Sequence, residues 1–275
     1  MTTAQKTILI TGSTDGVGRR VAERLAQPGT TVLVHGRNRD RAKEVVNAIE
    51  REGGAAHFYI ADLSSLAEVR SLAEAVLLDH SRLDVLVNNA GIAYGRNPNE
   101  RQVSQDGYEL LFAVNYLSGF LLTRLLLPRL IAQPASRIVN VSSAGQQRID
   151  FADVMLTQGY NGQRAYCQSK LAQIMFTVDL AEELANADVT ANCLHPATYM
   201  DTTMVRQAGG SPMSSVDEGA GAILQLVESP ALSRKTGLYY DGMRQSRAND
   251  QAYDAKDRAR LRALSLQLVG LSPVA

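Results

Sequence analysis

Residues 6–18, KTILITGSTDGVG, decide the architecture. The apolar, β-branched run from Lys6 to Thr11 reads as a strand. It breaks at Gly12, and Gly16 and Gly18 open a segment whose apolar residues recur at helical spacing. Strand, glycine turn and helix in that order leave the N–H groups of the first helical turn free. Those donors and the helix dipole together favour a pyrophosphate. The spacing departs from G-x-G-x-x-G, so a plain helix start is the competing reading of the turn taken alone.

Working outward, strand-like runs alternate with helical ones: TTVLVH at 30–35, a helix near 39–52, AAHFYIA at 55–61, a helix near 66–80, and LDVLVNN at 83–89. A long helix near 103–132, SRIVNVSS at 136–143, a helix near 164–186, DVTANCLHP at 188–196, a helix near 216–228 and TGLYYDG at 236–242 continue the pattern. Parallel strands need crossover connections, so the order predicts an α/β single-domain Rossmann fold over residues 1–275. Its doubly wound parallel sheet has about seven strands with helices on both faces, followed by a C-terminal helical tail at 243–275. Two stretches, 144–163 and 197–215, break the rhythm and read as lids over the substrate.

The bulk numbers exclude several classes. Twenty-eight Lys and Arg balance 28 Asp and Glu, so no net field favours nucleic acid or an acidic membrane. Apolar stretches such as FLLTRLLLPRLI at 120–131 are interrupted before the roughly 20 residues that cross a bilayer. Cys167 and Cys193 form no disulfide framework or metal spacing, which fits a reducing compartment, with the cytoplasm as the expectation. His35, His57, His80 and His195 are scattered, and no metal is expected.

After the second strand, HGRNRD at 35–40 offers Arg37 and Arg39 and no acidic residue at the strand end. In this fold an arginine there accommodates the 2′-phosphate of NADP, whereas an acid binds the NAD ribose; Arg37, nearer the strand, is the preferred ligand. Asp62 and Leu63 follow the third strand, and Asn88-Asn89-Ala90-Gly91 the fourth, at the sheet edge where such folds bind ligands. Farther on, AYCQSKLAQIMF at 165–176 puts Tyr166 and Lys170 four positions apart on one helix face.

TGSTDGVG at 11–18, NNAG at 88–91, NYLSGFLLT at 115–123, RIVNVSSAG at 137–145, YCQSK at 166–170 and HPA at 195–197 together resemble the short-chain dehydrogenase/reductase family over about residues 6–242. The long Ser-to-Tyr interval, AYCQSKLAQIMF and a tail ending in LVGL are most similar to its retinol-dehydrogenase-like branch. The resemblance implies a catalytic set of Asn115, Ser143, Tyr166 and Lys170, with Ser142 as the adjacent alternative to Ser143. Tyr166 would be the general acid or base, Ser143 an oxyanion-type donor, and Asn115 the holder of a water leading to Lys170. Lys170 would pull the tyrosine down by roughly two to three units from its usual value near 10.

The same resemblance implies that Gly12, Ser13, Asp15, Gly16, Val17 and Gly18 line the pyrophosphate turn and that Asp62 and Leu63 flank the adenine. Asn88, Asn89, Ala90, Gly91, Tyr166, Lys170 and Pro196 would contact or support NADPH. Two departures stand out: Ala197 replaces a usual glycine, and Thr202 comes one position late. Tyr160 and Met200, in the two lids, are substrate-pocket candidates. The expected activity is NADP(H)-dependent hydride transfer to or from an apolar carbonyl or alcohol, a small-molecule substrate. The alternatives are a catalytically silent NADP(H) sensor and, less compatible with the short tail, a nucleotide-sugar epimerase. A homo-oligomer, dimer or tetramer, built on the two long helices is the family-level expectation.

Overall fold

The computed structural model describes residues 5–95 and 97–272. Strands β1 (Lys6–Ile10), β2 (Thr30–Gly36), β3 (Ala55–Ile60), β4 (Val85–Asn88), β5 (Ser136–Val141), β6 (Val189–His195) and β7 (Tyr239–Asp241) pair in parallel. The spatial order is β3-β2-β1-β4-β5-β6-β7-β8. The eighth strand, β8 (Arg244–Ser246), is one more than expected; it returns antiparallel on β7 and begins the tail. A three-residue hairpin strand with an exposed face carries no apolar alternation, which is why the pattern missed it.

Helices α1 (Gly16–Arg24), α2 (Arg39–Arg51) and α8 (Val216–Glu228) cover one face through Val21, Val45, Ile49 and Ile223. On the other face lie α3 (Leu66–Asp79), α4 (Leu110–Phe112), α5 (Ser118–Ile131) and α6 (Gly162–Glu183). The short α7 (Thr203–Gln207) lies in the second loop. Asn38, Ser65 and Ser215 cap α2, α3 and α8 by accepting from backbone N–H groups of the first turn, satisfying donors the helices cannot.

The helix expected near 103–132 begins at Leu110, because Val103 is drawn back onto Glu109 as an isolated antiparallel bridge. A π-helical stretch, Ala113–Leu117, joins α4 to α5. The resulting rod, Leu110–Ile131, reaches 22 residues and holds an 18-residue window of mean hydropathy 1.7, long and apolar enough to span a bilayer, yet 78% of that window is buried in the fold. Its apolar length serves the core: Phe112, Tyr116 and Phe120 are fully buried, and each large apolar side chain so placed stabilises by roughly 1.5–3 kcal/mol.

Every residue of α6 from Gln168 to Ala181 is buried. The sheet and the rod cover part of its surface, and the tail helix α9 (Ala255–Leu268) covers more. Tyr116 Oη meets Ser265 Oγ at 2.7 Å, Arg262 pairs with Asp179 at 2.9 Å, and Arg258 with Glu182 at 2.5 Å.

Candidate active site

The glycine turn is built by close approach. A Cβ on Gly12 (φ +65°) would stand 2.8 Å from Ala90 Cα, and one on Gly18 would stand 2.4 Å from Gly12 O. No side chain fits there, so the cradle is one that a backbone-bound phosphate group suits. Asn89 braces it by donating Nδ2 to Thr11 O (2.8 Å) and Gly12 O (3.1 Å), and Thr11 Oγ1 accepts from the N–H groups of Asn89 and Ala90. Asp15 caps α1, accepting from Gly16 N at 2.7 Å, and Val17 lies against α8 near Gly219.

Ser13 departs from its expected place at the pyrophosphate. It is fully buried, its Oγ donates to Ile10 O and accepts from His35 N, and its own N–H is bonded to His35 O, so it is committed to the framework. His35, one of the scattered histidines in the sequence, proves to be part of the turn: Nδ1 accepts from Gly12 N at 3.1 Å while Nε2 faces Ala61 O at 3.2 Å. That pattern requires the neutral ring, and burial lowers its pKa to about 4.

At the β2 end Arg37 is exposed, whereas Arg39 lies over the Phe58 ring, 5.4 Å from its centroid. Arg41, in the first turn of α2, reaches Asp15 at 3.4 Å and brings a second guanidinium toward the glycine turn. A helical residue five positions past the strand has no periodic signal to mark it. Asp62 is folded on itself: Oδ1 accepts from Ser64 N, while its N–H donates to Glu68 at 2.6 Å; Leu63 is buried. Asn88 corrects the expectation that it supports the cofactor. Its Nδ2 donates to Thr123 Oγ1 (2.9 Å) and Asn140 Oδ1 (2.8 Å), because it is the last residue of β4 and points into the helical layer.

The catalytic candidates converge at the next strand ends. Gly145 marks the spot: a Cβ there would lie 3.5 Å from Ser143 Oγ and 3.7 Å from Tyr166 Cε1. Ser142 is turned away, donating to Lys170 O at 2.8 Å, which leaves Ser143 as the serine beside the phenol. Lys170 Nζ donates to Val141 O and Gln173 Oε1, each at 3.0 Å, and stands 5.8 Å from the Tyr166 ring centroid. A Cβ on Gly91 would sit 3.3 Å from that Nζ and 3.2 Å from Asn115 Oδ1, so the loop after β4 closes over both.

Asn115 lies in the π-helical stretch, its Oδ1 accepting from Ile92 N at 2.7 Å and its Nδ2 donating to Ile92 O and Ser169 Oγ. Its amide is therefore occupied in shaping the loop. The electrostatics also differ from expectation. Burial pushes the Tyr166 phenol above its ordinary pKa, opposed by Ser143, and burial brings Lys170 down to about 7. Burial thus works against the positive charge through which Lys170 would pull the tyrosine down.

Around the phenol, Ile92, Tyr94, Leu156 and Tyr160 form an apolar wall. Tyr160 Oη donates to Glu109 Oε1 at 3.1 Å, and Glu109 caps α4. Met200, the other pocket candidate, packs instead on α8, its Sδ occupying the space where a Gly219 Cβ would be. Cys167 also lies by the cleft: a Cβ on Gly145 would meet its Sγ at 3.4 Å, beside Ser143. Pro196 is buried; Ala197 needs no left-handed backbone, because that turn falls at Tyr199 (φ +43°). Thr202 caps α7, and its methyl stands 3.2 Å from where a Gly16 Cβ would be, laying the second loop over the glycine turn. No cluster of metal-binding residues occurs among the described residues.

The chain is similar to known proteins over most of its length. The family model described as short chain dehydrogenase matches residues 6–211. Human retinol dehydrogenase 13 is 37% identical over 97% of this chain and 85% of its own length. Polyprenol dehydrogenase of Mus musculus is 36% identical over 95% of this chain and 83% of its own length. A short chain dehydrogenase of Escherichia coli solved with NADPH superposes with a TM-score of 0.72 at 28% identity, over 88% of this chain and 98% of that one. With the glycine cradle and the Ser143–Tyr166–Lys170 cluster at one sheet edge, the chain belongs to the short-chain dehydrogenase family of oxidoreductases.

Proposed function

We propose that this protein is an NADP(H)-dependent oxidoreductase that interconverts an apolar alcohol and its carbonyl, with Tyr166 as general acid and base. The observation that carries the reading is the convergence of Ser143 Oγ and the Tyr166 ring on Gly145, at the same sheet edge as a glycine cradle that no Cβ could enter. The cradle from Gly12 to Gly18, braced by Asn89, would hold the pyrophosphate, and the exposed Arg37 the 2′-phosphate, with Arg41 close by. When bound, NADP(H) supplies the hydride donor or acceptor.

The chain's own residues handle the proton. Ser143 Oγ orients the substrate oxygen and donates to it as negative charge develops. Tyr166 gives its phenolic proton to that oxygen in reduction and takes the alcohol proton in oxidation. Its raised pKa keeps it protonated, the form reduction needs, and the ammonium of Lys170 eases its ionisation in the reverse direction. Asn115 fixes the Ile92 loop on which Lys170 and the apolar wall depend. The wall of Ile92, Tyr94, Leu156 and Tyr160 supports a long apolar substrate, in line with the retinol and polyprenol named for two relatives.

A homo-oligomer would have to use a face other than that of α6, which α9 covers. Balanced charge and two unpaired cysteines support a cytoplasmic setting. The test is cofactor oxidation by purified protein, NADPH against NADH, across apolar aldehydes, ketones and quinones and, in reverse, long-chain alcohols. Turnover with NADPH and one apolar class supports the reading. Tight NADPH binding without turnover on any of them would favour a sensor.

A further inference from the structure

Gln173 lies one turn past Lys170 on α6, within the stretch from Gln168 to Ala181 where every residue is buried. A primary amide there is costly unless its polar atoms are bonded, and the recorded partner of its Oε1 is Lys170 Nζ at 3.0 Å. We infer that Gln173 is a positioning residue that, with Val141 O, fixes the Lys170 ammonium between β5 and α6 so that its third N–H stays free toward the cleft beside Tyr166. The inference rests on Lys170 acting on Tyr166.

An ammonium has three donors; Val141 O and Gln173 Oε1 take two at 3.0 Å each. Both acceptors are neutral, so they favour the charged form without cancelling its charge, as a carboxylate would. The titratable groups facing Nζ are Tyr166 on its own helix and His195 on β6. The Gly91 loop, Asn115 and the serines after β5 bring neutral groups. Of the two acceptors, Val141 O belongs to the backbone, so Gln173 is the one whose replacement should move the amine's titration.

The experiment titrates Lys170 by NMR in ligand-free protein carrying 13C at lysine Cε; the chain has only five lysines. Gln173→Met, close in volume, removes the acceptor and should lower the midpoint by roughly one pH unit; Gln173→Glu should raise it by at least as much. The alkaline fall of kcat in carbonyl reduction should move in the same opposite directions, with the substrate KM unchanged. A purely structural glutamine would move neither midpoint, and identical titrations in wild type and Gln173→Met overturn the proposal. If Gln173→Glu does not fold, the Met variant alone still decides. Lys170→Met separates the two readings. Should it turn over normally, the role of Lys170 fails; should it lose turnover while the Gln173 variants titrate as wild type, only the role of Gln173 fails.

Discussion

Two loops rise above the carboxyl edge of the sheet, and both read as lids in the sequence, yet they are different objects. The first, 144–163, is nailed down. Gln251 of the tail accepts from Ile149 N at 2.7 Å and donates to Ile149 O at 3.2 Å, and Asn249 N donates to Gln146, whose Nε2 reaches Ser143 O. Ile149, Val154 and Leu156 are buried beneath these ties. The second, 197–215, leaves Tyr199 58% and Met213 73% exposed; its backbone ties are mostly internal, between Met200 and Ser214, from Met213 N to Tyr199 O and through the Thr202 cap, with His195 Nε2 meeting Thr198 Oγ1 at 3.0 Å at its start. A loop becomes a wall when distant chain supplies partners for its backbone, and stays a flap when it must supply its own. The wall begins beside Ser143 and leads into Tyr166, whereas the flap lies over the glycine turn through Thr202.

The largest effect should come from the wall's own chemistry. Tyr166→Phe is expected to keep NADPH affinity, read by fluorescence titration, while kcat falls by roughly two to four powers of ten. Undiminished turnover would mean that the rigid side of the cleft is not the reactive one.

Beneath the flap, the floor depends on a neutral His35. Its folded pKa, lowered to about 4, lies below the unfolded value of 6.5, so its contribution is complete above pH 6.5 and is lost as pH falls toward 4. Between pH 7 and pH 4 the wild type should lose about 3 kcal/mol more stability in urea titrations than His35→Gln does. Equal losses would show that the Gly12 to His35 bond does not set the floor.

Cutting the tail's grip tests the wall directly. Gln251→Ala leaves the buried N–H and C=O of Ile149 without partners and should cost about 2 kcal/mol of unfolding free energy. It should also lower kcat/KM several-fold through Ser143, while NADPH affinity holds. Thr202→Ala should have the smallest effect: loss of the α7 cap, worth about 1 kcal/mol, should speed NADPH dissociation several-fold in stopped-flow traces and leave the chemical step unchanged. An unchanged off-rate would mean that the flap does not close on the cofactor.

The residues sort by how local their signals are. The strand–turn–helix at 6–24, the alternation that follows it and the pair Tyr166 and Lys170 were legible because each depends on period or spacing within one or two elements. The preference for Ser143 over Ser142 came from a motif and agrees with which hydroxyl faces the phenol. Side-chain direction at a strand end carries no such signal. Asn88 and Asn89 are neighbours in an identical dipeptide, but alternation along β4 sends one into the helical layer and the other to the glycine turn. Ser13 looked like a phosphate ligand and is bound to His35 across the sheet.

By itself, the sequence determined the sheet, the cofactor turn and the tyrosine–lysine helix, since those follow from short-range patterns of apolar, glycine and polar residues. Only the tertiary structure decided which loop is a wall and which a flap, that α9 seals α6, and that Lys170 is buried with Gln173 and close to losing its charge. Those outcomes depend on desolvation and on bonds between residues that lie up to about a hundred positions apart, or that share a helix whose surroundings the tail completes, and no local pattern encodes how much water such a group will keep.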